Sequence, residues 1–413
     1  MNSLDKNLWK ATLFCCLLTL FTACGDSKDD DKEEGTNPVT NNNSNTDNFE
    51  SKLLECNLPA GETLTLTNRN DHIDYIVDCK YNIKGHLNIE KDVTIQFQTD
   101  AGFAIYDKGY LKAIGTKNAP VLFTGVDKTE GSWRGVFFNS NHVNNELSYT
   151  TIEYAGGEAF NSNGDKGSII VYAGARLKAN NNTLRHGEMY GVTMNYGEAE
   201  VQLHNNEINT HKAPLHIQGQ YVDKVIGGKY VNNSTNAILI NNYTSTISDN
   251  CRWRELGVPY HILDRMVVVA GGNMVVDAGV TMAFAGDVQL VIDEGASGSK
   301  PSLVAVGKEV DSDSIAKPIT FTGINKIQGA WKGIYFDSPN PLNQIAFAKI
   351  EYASNPAQEG AIEVWAGTVL SVHDVEFKEI QNCAIHGGHK GYLNAVTTSN
   401  LIYTNTSRGL CEE

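Results

Sequence analysis

The segment PVLFTGVDKTEGSWRGVFF at residues 120–138 returns as PITFTGINKIQGAWKGIYF at residues 318–336, an offset of 198. Nine of the nineteen positions are identical, and most of the others exchange like for like, Val for Ile or Arg for Lys. Chance would give about one identity at ordinary composition. The chain therefore contains an internal duplication, and its fold must accept two copies in tandem. The same offset carries Ile152, Glu153, Tyr154 and Ala155 onto Ile350, Glu351, Tyr352 and Ala353. Upstream, Leu87, Ile89, Val93, Ile95 and Phe97 correspond to Met274, Val276, Val280, Met282 and Phe284 at an offset of 187, and downstream Gly167 and Gly174 correspond to Gly360 and Gly367 at 193. The second copy gains 11 residues near 295–315 and loses five where the first has 161–165. Length changes that spare the strand pattern belong to loops leaving a regular stack.

Within each copy, short apolar runs alternate with polar residues: VTIQF, LKAIG, VLFT, GVFF and SIIVY, then VTMAF, LVAVG, ITFT, GIYF and AIEVW. Period-2 runs of this length are strands with one buried face. Gly or Asn separates them every 8 to 12 residues, and no amphipathic helix intervenes. Three strands per coil predict an all-β solenoid with coils of roughly 20 to 25 residues that must stack to bury an apolar interior. About 15 coils at the strand spacing of about 4.8 Å make a rod roughly 70 Å long. Asn suits its tight corners because it tolerates left-handed backbone angles, as in ANNNT at 179–183 and VNNST at 231–235. Propellers and tandem sandwiches fit less well, since no blade-length unit subdivides the repeat. The expected boundaries are 51–250 for the first half and 251–413 for a second half continuous with it.

A different chemistry occupies the start. Residues 1–10 end in Lys10, and 11–23 form an apolar run that stops at Cys24, the layout of a secretory signal too short to span a bilayer. Phe21-Thr22-Ala23-Cys24 resembles a bacterial lipobox, with Phe21 in the usual Leu position, which implies lipidation of Cys24. The following Gly25-Asp26-Ser27-Lys28-Asp29-Asp30-Asp31-Lys32-Glu33-Glu34 resembles the export signal of Bacteroidetes lipoproteins. That likeness implies an outer-membrane protein facing the cell exterior. Residues 24–50 are too polar to form a core and read as a flexible acidic and Asn-rich tether.

The strings LNIEKDVTIQF, YLKAIGTKNAPVLFTG, GSWRGVFF and LSYTTIEYAGG, with their second-copy partners, resemble right-handed parallel β-helix lipoproteins of Bacteroidetes type, over about residues 65–410. The architecture so implied is that of the pectin-lyase-like superfamily. Trp133, Phe138, Trp331 and Phe336 stand at expected core positions. These motifs specify a fold and no activity.

Net charge is −15, residues 1–23 contribute +1, and −16 remains on the mature chain. No basic run exists to neutralise phosphates, so nucleic acid is excluded as an expected partner. Five cysteines remain in the folded region, and each end holds a close pair, Cys56 with Cys79 and Cys383 with Cys411. Two readings stay open for them, disulfide staples at fraying ends and buried free thiols. No catalytic residue, metal site or cofactor is assigned. Glu153 and Glu351 are repeat-equivalent, which argues for a shared structural role on the outward face, and the repeat-equivalent Arg134 and Lys332 read as exterior solvated side chains. The stretch NSNGDKG at 161–167 reads as a turn, since Lys166 stands where a calcium loop needs Gly. His386 and His389 in HGGHKG lie among glycines that disfavour a ligating helix. Asp313-Ser314-Ile315 resembles a short Bacteroidetes O-glycosylation motif. The expected function is non-enzymatic binding or adhesion to a polysaccharide or matrix ligand. A polysaccharide lyase or glycoside hydrolase, and a structural envelope component, are the alternatives.

Overall fold

The computed structural model describes residues 50–70, 72–240, 245–295, 298, 300–309 and 316–413. Cys24, the tether to residue 49 and residues 313–315 lie outside them. Strands of two to six residues dominate, and all the strand ladders are parallel. They build a β-solenoid of about 13 turns. The expectation of about 15 assumed shorter coils. Connections lengthen several of them: Thr151 pairs with Thr183, and Val304 pairs with Gln344 one turn later.

Each coil of the first copy contributes to three sheets. Thr94–Phe97, Val121–Gly125 and Thr150–Glu153 stack in the first, Gly102–Asp107, Val136–Ser140 and Ile169–Val171 in the second, and Tyr110–Ile114, Glu146–Ser148 and Arg176–Asn180 in the third. Inward side chains pile up coil upon coil. A single apolar cluster runs from Leu54 to Ile385, so the halves share one interior. Trp133, Phe138, Trp331 and Phe336 are fully buried in it. Trp133 stacks on Phe97 with centroids 4.0 Å apart, and Trp331 repeats this on Phe284 at 4.2 Å. The Gly after each Trp-Arg or Trp-Lys pair is also explained. Gly135 and Gly333 have φ of 103° and 108°, and an added Cβ would sit 2.5 Å and 2.4 Å from a carbonyl oxygen of the next coil.

The two copies do not stack face on equivalent face. The second sheet of the first copy continues through Ala213–Ile217 and Ile238–Ile240 to Tyr260–Ile262, then to Thr281–Phe284 and Ile319–Gly323. Those last two strands are the repeat partners of Thr94–Phe97 and Val121–Gly125, which belong to the first sheet. The second copy is thus displaced by one face. The displacement occurs at the 3-10 turn Gly219–Lys224, after which Ser245–Ile247, Met266–Val268, Gln289–Asp293, Gly333–Asp337 and Gly360–Val364 form a new sheet. Ser245 is tied to the turn by the Gly219 N–H, which donates to its Oγ at 3.2 Å.

Asn residues hold the corners. Asn182 Oδ1 accepts from the Thr150 N–H at 2.9 Å while its Nδ2 donates to the Leu147 carbonyl at 2.9 Å, and Asn206 repeats the pattern one coil on. Their neighbours Asn181 and Asn205 have φ of 55° and 54°, and Asn232 has 63°, the left-handed region expected of them.

Candidate functional site

Most residues singled out in the sequence are committed to holding the solenoid together. Thr124 Oγ1 donates to Glu153 Oε2 at 3.2 Å, and Lys128 Nζ donates to Thr124 Oγ1 at 2.7 Å while lying 5.4 Å from the Tyr154 ring centroid. Trp133 Nε1 donates to the Glu153 carbonyl at 2.7 Å. The second copy reproduces all of this with Thr322, Glu351, Lys326, Tyr352 and Trp331. These carboxylates pin a loop over the sheet, and in the first copy Arg185 closes an ion pair with Glu153. Arg134, expected as a free exterior side chain, instead donates to the Asp100 and Ala159 carbonyls and ties down the 156–167 loop.

The remaining candidates are also accounted for. Asp165 in the 161–167 turn is buried and accepts from Asn161 Nδ2 at 2.9 Å, Asn195 Nδ2 at 3.1 Å and the Tyr196 hydroxyl at 2.9 Å. Burial first, then the hydrogen bond to Asp165, raises the Tyr196 pKa to about 12. Cys56 is bonded to Cys79 and Cys383 to Cys411, with Cα separations of 5.9 Å and 6.2 Å. Cys251 is a free buried thiol whose pKa burial pushes up to about 12. His386 is buried against Glu363, its Nδ1 2.9 Å from Oε2, whereas His389 lies in a turn with its ring 5.3 Å from Tyr392. Among the described residues, the one cluster with metal-ligand spacing is Cys56, Asp78 and Cys79, and both its sulfurs are in the disulfide.

What distinguishes the copies is the outer surface of one sheet. In the first copy the outward ladders are Tyr106, Asn139 and Tyr172, and beside them Ala104, Phe137 and Ile170. The second of these ladders is apolar and buried, and the first is half-buried. The 156–167 loop lays Phe160 on Phe137, centroids 5.4 Å apart, and Lys80 Nζ fastens the loop by donating to the Phe160 carbonyl at 3.2 Å. At the repeat-equivalent positions the second copy has Asp293, Asp337 and Trp365, and beside them Val291, Tyr335 and Glu363. The five missing residues shorten the covering loop to 354–359, and no aromatic lies in it.

The result is an open shelf. Trp365 is 43% exposed, with Tyr392 edge-on at 5.6 Å. Asp293, Asp337 and Trp365 are register neighbours on successive coils, about 4.8 Å apart along the stack. Asp293 accepts from the Gly295 N–H at 2.8 Å, and Glu363 accepts from the Gly360 N–H at 2.7 Å besides facing His386. Half-buried Asp337 accepts no side-chain hydrogen bond among the described residues. Burial, then Asp293 and Glu294, raise its pKa. Burial and the surrounding carboxylates push Tyr335 up to about 12.

None of the shelf residues was singled out from sequence; His386 and His389, which were, only adjoin it through Glu363 and Tyr392. The signal was available: three successive outward positions change together at offsets of 187, 198 and 193, beside a loop deletion. Reading it required knowing that these positions share a face. Comparison with family models, curated protein sequences and solved structures finds no match to this chain.

Proposed function

We propose that this chain is a non-catalytic surface lipoprotein that binds a glycan on the second-copy shelf. The carrying observation is the exposed Trp365 set on a rigid flat sheet beside hydrogen-bond acceptors, where the first copy keeps the same surface covered. Aromatic faces pack against the apolar face of a sugar ring while carboxylates accept from its hydroxyls, and a shelf already formed needs little ordering on binding. Shallow open surfaces of this kind suit a polymer that continues past the site on both sides. Trp365→Ala should weaken about tenfold the retention of the glycan that the native chain captures from an array. Capture unchanged by that substitution would remove the shelf from the proposal.

The lipid anchor rests on the resemblance around Cys24, and the solenoid's right-handed sense on the preference of parallel crossovers for that hand. Cys24→Ala should shift the protein from the detergent phase to the aqueous phase in Triton X-114 partitioning and prevent labelling by a fatty-acid analogue. A second reading has a specific observation in its favour. A half-buried carboxyl whose pKa is raised by burial, with a second carboxyl beside it, as with Asp337 next to Asp293, is the arrangement that glycosidases use for acid and base. Release of reducing ends that is lost in Asp337→Asn would establish hydrolysis in place of binding alone.

A further inference from the structure

We propose that the shelf recognises a free ammonium group on its glycan, an amino sugar seated with its cation between Trp365 and Asp337. This rests on the glycan reading above and narrows it to one substrate class. Three changes in the chain's own duplication point to a cation. Where the first copy has Tyr106, Asn139 and Tyr172, all uncharged, the second has two carboxylates and the residue whose ring attracts cations most strongly. Asp337 is half-buried and faces like charges from Asp293 and Glu294, yet accepts no side-chain hydrogen bond among the described residues. Such a group is stabilised by an incoming donor that carries positive charge. Glu363 and Asp293, by contrast, already accept backbone N–H groups and serve as a negative surround.

The alternatives that the same acidity raises are less well matched. A resident metal ion needs several ligand atoms within reach of one another, and no such group forms on the shelf among the described residues. Uronates and sulfated sugars would bring negative charge against Asp293, Glu294, Asp337 and Glu363. A sugar ammonium offers three N–H donors from one point, and its ring presents an apolar face to the indole.

Titration calorimetry of the full chain in detergent solution tests this, using a glucosamine oligomer, the fully N-acetylated oligomer, an oligogalacturonate and trilysine. The glucosamine oligomer should bind at least tenfold more tightly than its acetylated counterpart, and the oligogalacturonate should give no binding heat. Trp365→Ala and Asp337→Asn should each weaken binding about tenfold, equivalent to about 1.4 kcal/mol. Trp365→Phe should retain part of the affinity, and thermal melts establish that each variant is folded. Glu130→Gln removes the same charge from an exposed position on the first copy and should change affinity less than twofold. Equal affinity for the acetylated oligomer overturns the ammonium inference and leaves glycan binding standing. Weakening by Glu130→Gln as large as by Asp337→Asn reveals only general attraction of a polycation to an acidic chain and overturns it too. Trilysine binding as tightly as the sugar assigns the site to peptides. Failure of every glycan to bind removes both the inference and the reading beneath it.

Discussion

His211 and His216 tie the stability of this solenoid to pH. His211 is 2% exposed; its Nδ1 donates to the Asn209 carbonyl at 2.7 Å, and its Nε2 accepts from the Ser168 hydroxyl 2.9 Å away. His216 lies against Tyr190, and its buried Nδ1 has no hydrogen-bond partner among the described residues. Burial lowers both pKa values from 6.5 to about 4. A depressed histidine pKa means that the unfolded chain binds the proton first as pH falls. Each group therefore leaves stability intact above pH 6.5 and removes it progressively down to pH 4, by about 3 kcal/mol at most. Thermal unfolding midpoints should fall across that window. His216→Leu should flatten the fall without lowering the midpoint at pH 7, because the leucine replaces an unpaired nitrogen beside Leu239. A slope unchanged in that variant would show that His216 titrates in the fold as it does in water.

At the scale of elements, corners and loops set the coil more than strands do. Asn182 bonds two backbone groups of the neighbouring coil, and Asn182→Ala leaves the buried Thr150 N–H without its acceptor, a loss of about 2 kcal/mol. Asn181→Gly at the adjacent left-handed position should cost little, because glycine adopts that backbone freely. Urea denaturation of the two variants separates the side-chain role from the backbone role. The alternating runs around Phe97, Phe123 and Phe138 made the strands legible, because period-2 burial is written into five or six consecutive residues. Loop coverage was not legible. Phe160 reads as part of an irregular stretch, and only the path of the 156–167 loop places it on Phe137. The lengths of the same connections explain why there are about 13 turns.

Across the whole molecule, one interior runs through both copies while both disulfides sit at its ends. Closing loops of 23 and 28 residues constrains the unfolded chain by about 3 kcal/mol each in the chain-entropy account. In a solenoid each coil is stabilised chiefly by its neighbours, so the loss should stay local. The double variant Cys56→Ser with Cys79→Ser should accelerate amide exchange in residues 52–89 and leave 260–340 protected. Acceleration throughout would show that the stack unfolds as a single unit. The same one-dimensional logic explains how the second copy tolerates displacement by one face. Each coil meets only the coil beside it, so the turn at Gly219–Lys224 disturbs a single junction.

The residues alone determined the duplication, the short strands, the left-handed Asn corners and the buried Trp and Phe positions. All of these depend on neighbours a few residues away or on exact recurrence along the chain. Tertiary structure decided which outward residues share a surface, that Glu153 and Arg134 fasten loops, and that one copy's sheet is covered while the other's is open. Those outcomes depend on which coil lies above which and on where a loop comes to rest. Contacts between residues 20 to 80 apart settle both, and alternation within a strand carries no record of them.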